Sequence, residues 1–343
     1  MQILGIANGT QDGNSEILLK AALTAATELD HSITTRWIHA PSVSIPRNPK
    51  PLKGSLDVSH GLNEGLQAGE TTTDPIPDDR RAVLDAILDA DALIISTPVY
   101  SHSPAGFLKA VVDRILGPMT DVTFAKRTLQ AQKAGDPRFK DAKVDMRLLK
   151  PRVVGFMAIG GSTTPDQFAL ALPMLHLMVY SLHAKVVDQV VFEACGTSGL
   201  VVTHKDGAYV DRAQQLGRNV ASQLGKPFDD AEYLGDEPPG SCPYCHLSKI
   251  ELFGCTEKNE IGCNTCGALG QLEVGKDGVI RPVWRQNCDI SSITEAGKLT
   301  HIKDLDTNGA REKAEMEADS DFGKKRQAWR DVKIQVVPLH SPT

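Results

Sequence analysis

Two Cys-x-x-Cys pairs, Cys242/Cys245 and Cys263/Cys266, are the residues most committed to chemistry in this chain of 343. Seventeen residues (246–262) separate them, a spacing that suits four thiolates on one metal ion. Each pair can sit on a tight knuckle. Gly267 follows the second, and the alternating stretches Gln271–Val274 and Val279–Val283 suit the hairpins of a zinc ribbon. Zinc is therefore the expected ion, with a [4Fe–4S] cluster as the rival. His246 is read as a surface histidine, Cys255 as a spare thiol, and Cys195 and Cys288 as small hydrophobes.

A second group of residues suits an anion and a flat ring. The loop Ala7–Ser15 joins an apolar strand to a helix; Gly9 and Gly13 let the backbone wrap closely. Asn8, Thr10, Asn14 and Ser15 offer small polar side chains to a phosphate at a helix N-terminus. Thr97, Pro98, Val99, Tyr100 and Ser101 follow the apolar run Ala92–Ile95 and make a stiff, partly polar wall. Gly160, Gly161 and Ser162 follow a further strand, where backbone N–H groups can approach a ring edge; Thr164 and Pro165 can also start a helix there. His102 and Tyr100 are the candidates for proton transfer or stacking; both also have plain structural readings. Lys109, Asp113 and Arg114 are read as helix-surface ion pairs, and His176 and His183 as packing histidines.

These loops need a frame that sets them side by side. Strands are expected at Met1–Ala7, Ile33–His39, Ala92–Ile95, Arg152–Ile159 and Ala184–Phe192. Helices are expected at Ser15–Leu29, Asp78–Ala90, after Phe107, at Asp166–Leu182 and at Tyr209–Leu224. Strands alternating with helices give a doubly wound parallel sheet, whose ligands sit outside the carboxyl ends of the strands. Ala40–Pro77 reads as a long Pro-, Gly- and Ser-rich excursion, and Asp121–Leu149 as a charged insertion. The expected organisation is a domain over 1–225, a linker over 226–241, the cysteine module over 242–286 and a charged tail over 287–343. That tail carries helix from Asn308 to Arg330 and a short strand at Val332–Val337.

A net charge of −6 argues against a nucleic-acid surface spread over the whole chain. Phe168–Leu182, interrupted by Pro173 and His176, is too short to span a bilayer. Met1 leads directly into a strand rather than a signal peptide, so the expected location is cytoplasmic.

The string Ser96–Arg114 resembles the flavin-cradling segment of NAD(P)H-dependent FMN reductases and of iron–sulfur flavoproteins. Gly13-Asn14-Ser15 is similar to the end of their phosphate loop. Ala7, Asn8 and Thr10 depart from the glycine, serine and arginine common earlier in that loop. The resemblance covers Met1 to about Leu224. It implies a flavodoxin-like sheet of order 2-1-3-4-5, FMN, and ping-pong hydride transfer from NAD(P)H to a small-molecule acceptor. Quinone, nitro compound, flavin or a biosynthetic intermediate would serve. It also implies a homodimer or homotetramer. Two alternatives stand beside it. One is an electron carrier whose C-terminal cysteines hold a [4Fe–4S] cluster; the other is a flavoprotein whose ribbon is a docking module. In the iron–sulfur relatives the cluster cysteines follow the second strand, where this chain has none.

Overall fold

Unbroken apolar runs become the central strands of a parallel sheet in the computed structural model, which describes residues 1–45, 77–116, 120–252, 259–335 and 337. Most of the Ala40–Pro77 excursion, and Cys255, lie outside the described residues. The elements begin with β1 (Gln2–Ala7), α1 (Asn14–Leu29), β2 (Thr34–His39), α2 (Arg80–Asp89) and β3 (Ala92–Tyr100). Next come β4 (Ser103–Pro104), α3 (Gly106–Ile115), α4 (Val122–Lys133), β5 (Arg152–Ile159), α5 (Ala171–Val179), β6 (Ala184–Phe192) and α6 (Ala208–Ser222). The order is β2-β1-β3-β5-β6, with β4 a two-residue antiparallel arm on β3. Without that arm, this is the expected order 2-1-3-4-5.

Alternation along the strands divides the core into two layers. Leu4, Ile6, Leu93, Ile95, Val154 and Phe156 pack with α2, α3 and α5. Ile3, Ala7, Ala92, Ile94, Val153 and Met157 face α1 and α6 on the other side. With both faces covered, near-continuous apolar strands are the expected composition. The chain leaves β1 through α1 on one face and returns to β3 through α2 on the other. That reversal opens a crevice at the carboxyl ends of β1 and β3.

β3 runs further than its apolar run suggests, through Thr97, Pro98 and Tyr100. Pro98 is tolerated because β1 stops at Ala7, opposite Ser96; beyond that point β3 meets only the arm β4 on that side, where the Pro98 carbonyl accepts the Ala105 N–H and the Ala105 carbonyl is met by Asn8 Nδ2. The wall residues are thus the end of a strand rather than a free loop.

Residues 226–241 contain no helix or strand but are packed. Ala231 is buried, and the Leu234 N–H donates to the Val187 carbonyl on β6 at 2.7 Å, covering that sheet edge. Asp188, fully buried on β6, is met by the Arg212 guanidinium and by Asn219 Nδ2 from α6. A second, antiparallel sheet follows, β10-β9-β8-β7, from β7 (Ile250–Leu252), β8 (Glu260–Cys263), β9 (Leu269–Val274) and β10 (Ile280–Trp284).

The chain divides into two compact units, Met1–Lys298 and Leu299–Thr343. The tail is helical earlier than its charge pattern suggests, through α7 (Glu295–Ala318) and α8 (Phe322–Arg330). The strand expected at Val332–Val337 is absent among the described residues 332–335. An alternating Val-Lys-Ile-Gln pattern needs a partner strand, and the described residues supply none.

His183 stacks on Phe228, with ring centroids 4.7 Å apart. Burial, with Lys126 and Lys298 nearby, pushes its pKa down from 6.5 to about 4. The unfolded chain therefore binds the extra proton between these values, so stability is lost as pH falls from 6.5 towards 4. The urea midpoint should drop between pH 7 and pH 5, and His183→Phe should remove part of that drop. An unchanged slope in the variant would count against it.

Candidate functional site

The cleft at the crevice is lined from four strand ends. Gly9, Thr10, Gly13, Asn14 and Ser15 come from the loop after β1, and Pro98, Val99 and Tyr100 from β3. Ile159, Gly160 and Gly161 come from the end of β5, and Cys195, Gly196 and Ser198 from the loop after β6. Of the residues expected at a cofactor, Asn8, Thr97, Ser101 and Ser162 do not line it.

Asn8 and Thr97 are instead the pin behind the cleft. Asn8 is fully buried, and its Nδ2 donates to Thr97 Oγ1 and to the Ala105 carbonyl, both at 2.9 Å. Its backbone N–H extends β1 by one bond, to the Ser96 carbonyl. The loop then turns through Gly9, at φ +137°, where a Cβ would press on the Pro98 ring at 3.2 Å. His39, at the end of β2, holds that turn: Nε2 meets the Gly9 carbonyl at 2.8 Å and Nδ1 meets Ser42 Oγ at 2.7 Å. A carbonyl only accepts, so Nε2 carries a proton.

Gly13 caps α1 without a side chain, and a Cβ there would sit 2.6 Å from Thr10 Oγ1. The Asp12 N–H is held by the Glu16 carboxylate, which also pairs with Lys20. The N–H groups of Asn14 and Ser15 have no acceptor inside the helix, as in any first turn. Asn14 ties two loops together, since its Nδ2 donates to the carbonyls of Cys195 at 3.0 Å and Thr197 at 2.9 Å. Its side-chain N–H donors are therefore spent on the protein, and Oδ1 remains buried and unpartnered among the described residues.

At the end of β5, the Gly160 N–H is taken by the Phe192 carbonyl, and the Gly160 carbonyl accepts from Cys195. A Cβ on Gly160 would lie 2.4 Å from the Phe168 ring, and one on Gly161 would lie 3.1 Å from Gly196 Cα. Only backbone fits here. Ser162 turns away, accepting from the Thr164 N–H and leaving Thr164 without a capping bond. The loop after β6 was missed in the sequence. Its signal was the small-residue run Cys195–Gly199 directly after an apolar strand.

The group this cleft would hold must carry an anion for free amides, hydrogen-bond donors for Asn14 Oδ1, and a flat body against Tyr100. The residues present fit FMN. Replacing Asn14 with alanine is expected to weaken FMN binding about 10- to 100-fold, from two hydrogen bonds worth roughly 1–3 kcal/mol together. A fluorescence titration measures it, and an unchanged Kd would contradict the tie.

In the cysteine module the four Sγ atoms of Cys242, Cys245, Cys263 and Cys266 lie within 4.8 Å of one another, all buried. The two knuckles have one geometry. His246 and Gly267 donate their N–H groups to the carbonyls of Cys242 and Cys263, both at 2.8 Å. The N–H groups of Cys242 and Cys263 in turn meet the carbonyls of Leu247 and Ala268. Gly267 takes the left-handed turn at φ +77°; His246 does so at φ +59° despite its side chain. It is held there by stacking on Tyr233, centroids 3.8 Å apart, and by Glu237 at 2.8 Å. His246 is thus a packed knuckle residue, not a surface histidine. Contacts with the other three thiols, then burial, drive the Cys245 thiol up. As thiolates, four sulfurs this close would need a cation between them, so the group could hold a metal ion. Cys288 packs beside them and accepts the Leu269 N–H. His176 is buried as expected, but it also donates to Gln189 Oε1, whose Nε2 donates to the Cys245 carbonyl at 2.8 Å.

Residues 1–195 match the sequence profile of NADPH-dependent FMN reductase. The chain belongs to this family. Beyond the matched region, the chain is similar over nearly its whole length to flavone synthase cfoJ of Aspergillus candidus. The two are 31% identical over 335 residues, covering 96% of this chain and 97% of the relative. A solved structure described as a flavone reductase superposes with a TM-score of 0.74 at 26% identity, over 99% of this chain and 100% of the other. As a member of this family, the chain is a flavin-dependent NAD(P)H oxidoreductase.

FMN, when bound, supplies the hydride chemistry of this family. The reductase's own residues would do the rest. The first-turn amides and dipole of α1, with Thr10 and Ser15, would hold a phosphate without a lysine or arginine. Gly161 would offer backbone to the ring edge. Tyr100, 59% exposed, stands at the rim.

Proposed function

We propose that this reductase exchanges hydride between NAD(P)H and a flavonoid, acting at the carbon–carbon double bond conjugated to the ring ketone. The reading rests on end-to-end likeness to a flavone synthase and a flavone reductase, both spanning the cysteine module and the tail. The two names describe formation and consumption of one unsaturated ketone. An open cleft rimmed by an exposed tyrosine supports a flat aromatic acceptor. FMN-loaded protein with NADPH under nitrogen is expected to convert flavone to flavanone, followed by chromatography. Turnover of quinones or nitro compounds with no flavonoid conversion in either direction would overturn this.

For the cysteine module we infer a single zinc ion. A tetrahedral Zn–S distance of about 2.3 Å sets sulfurs roughly 3.8 Å apart; the Cys242–Cys266 and Cys245–Cys263 sulfur pairs stand at 3.6 and 3.4 Å. A [4Fe–4S] cube would interpose its own skeleton and hold the thiolates further apart, so the spacing supports one ion. Exposed Phe107, Leu170 and Leu177 on and beside α3 and α5 support pairing with a second copy.

A further inference from the structure

Conversion of an unsaturated ketone needs more than a hydride. The β carbon receives or gives up a hydride, and the α carbon must receive or give up a proton. Among the ionisable side chains near the cleft, Cys195 is buried with its thiol pushed up by burial, and Tyr100 stands on the rim. A third candidate, His102, follows two residues after Tyr100.

β3 and β4 form a two-residue hairpin, Val99 pairing with Pro104 and Tyr100 with Ser103. Its tip, Ser101 and His102, lies in the left-handed region at φ +49° and +69°. Glycine or asparagine would sit there without strain. Two contacts hold His102 in place. Its carbonyl accepts the Leu170 N–H at 3.1 Å, and its Nδ1 meets the Asp166 carbonyl at 2.8 Å. That carbonyl can only accept, so the proton lies on Nδ1. Nothing among the described residues meets Nε2. The ring thus ties the tip of the β3–β4 hairpin, two residues beyond Tyr100 at the cleft rim, to the turn that follows β5. The Asp166 carboxylate is the charged group beside it, itself held by Thr164 and Gln167.

We propose that His102 is the proton carrier for the α carbon, a role that rests on the flavonoid reading above. In the saturating direction, a hydride drawn from NAD(P)H would reach the β carbon by the chemistry FMN supplies when bound. The π pair moves towards the ketone as an enolate. The imidazolium Nε2–H then protonates the α carbon, and the imidazole regains its proton from water. In the reverse direction, neutral Nε2 removes the α proton as hydride leaves the β carbon. Nδ1–H stays on Asp166 throughout and keeps the ring aimed.

The test uses FMN-loaded His102→Asn, because asparagine tolerates the left-handed turn, with His102→Gly plus added imidazole as a second variant. A quinone accepts both electrons and protons at oxygen and needs no carbon-bound proton, so it serves as the internal reference. The ratio of flavone to quinone turnover should fall about 10²- to 10⁴-fold in His102→Asn. The histidine limb of the pH profile for flavanone oxidation should vanish, and imidazole should restore part of the rate in His102→Gly. An unchanged ratio, or flavone and quinone turnover falling together with FMN affinity, would overturn the proposal while wild-type flavonoid turnover stands. Wild-type protein inert to flavonoids would overturn the functional reading and this inference with it.

Discussion

Replacing Gly217 with alanine is expected to lower the melting temperature by roughly 5–10 °C and to weaken FMN binding with it. Gly217 lies in α6 where that helix crosses α1, and a Cβ there would sit 1.9 Å from the Ala22 carbonyl oxygen and 2.7 Å from its carbon. No rotamer relieves a clash with backbone, so the helices must separate. Separation opens the layer formed by Leu18, Leu19, Ala22, Leu216 and Val220. It also displaces the helix whose first turn faces the cleft. Overpacking of this kind costs about 3 kcal/mol or more. The same substitution at Gly309 in α7, which has nothing within 4 Å, should instead gain up to about 1 kcal/mol from helix propensity. Scanning calorimetry of both variants decides it, and a Gly217→Ala protein as stable as wild type would refute the close crossing.

The second large effect is expected from Cys263→Ser. Removing one of four buried thiolates should abolish stoichiometric metal retention, measured by plasma mass spectrometry, and lower the unfolding free energy by several kcal/mol. The loss should spread beyond the knuckles. The Cys245 carbonyl is held by Gln189 on β6, and Leu247 packs against both the cysteine cluster and the main core. Loss of the ion therefore loosens the cover over an edge strand as well as the small sheet. A serine variant with full metal content and wild-type stability would contradict a four-thiolate site.

Much of this architecture was legible because it depends on local pattern. Runs such as Ala92–Ile95 and Arg152–Ile159 are apolar because both sheet faces are covered, and that composition is visible without coordinates. Gly13, Asn14 and Ser15 mark a strand-to-helix turn by their types alone. What could not be read was how polar atoms are shared. Asn14 was expected to serve a phosphate, yet its donors serve the loop after β6; Gly160 N–H is likewise taken by Phe192. Such pairings join residues far apart in sequence, and no periodicity encodes them. His39 escaped for the same reason, as an ordinary strand end until Gly9 is placed beside it. Pro98 misled in the opposite direction. It reads as the end of a strand, but it is accommodated because its neighbour β1 has already ended.

The most direct measurement is anaerobic stopped-flow absorbance on protein reconstituted with FMN. The account predicts stoichiometric FMN, a flavin band that NADPH or NADH bleaches, and recovery of that band on mixing with flavone. Protein that retains no FMN, or whose flavin neither nucleotide bleaches, would contradict the account at its centre.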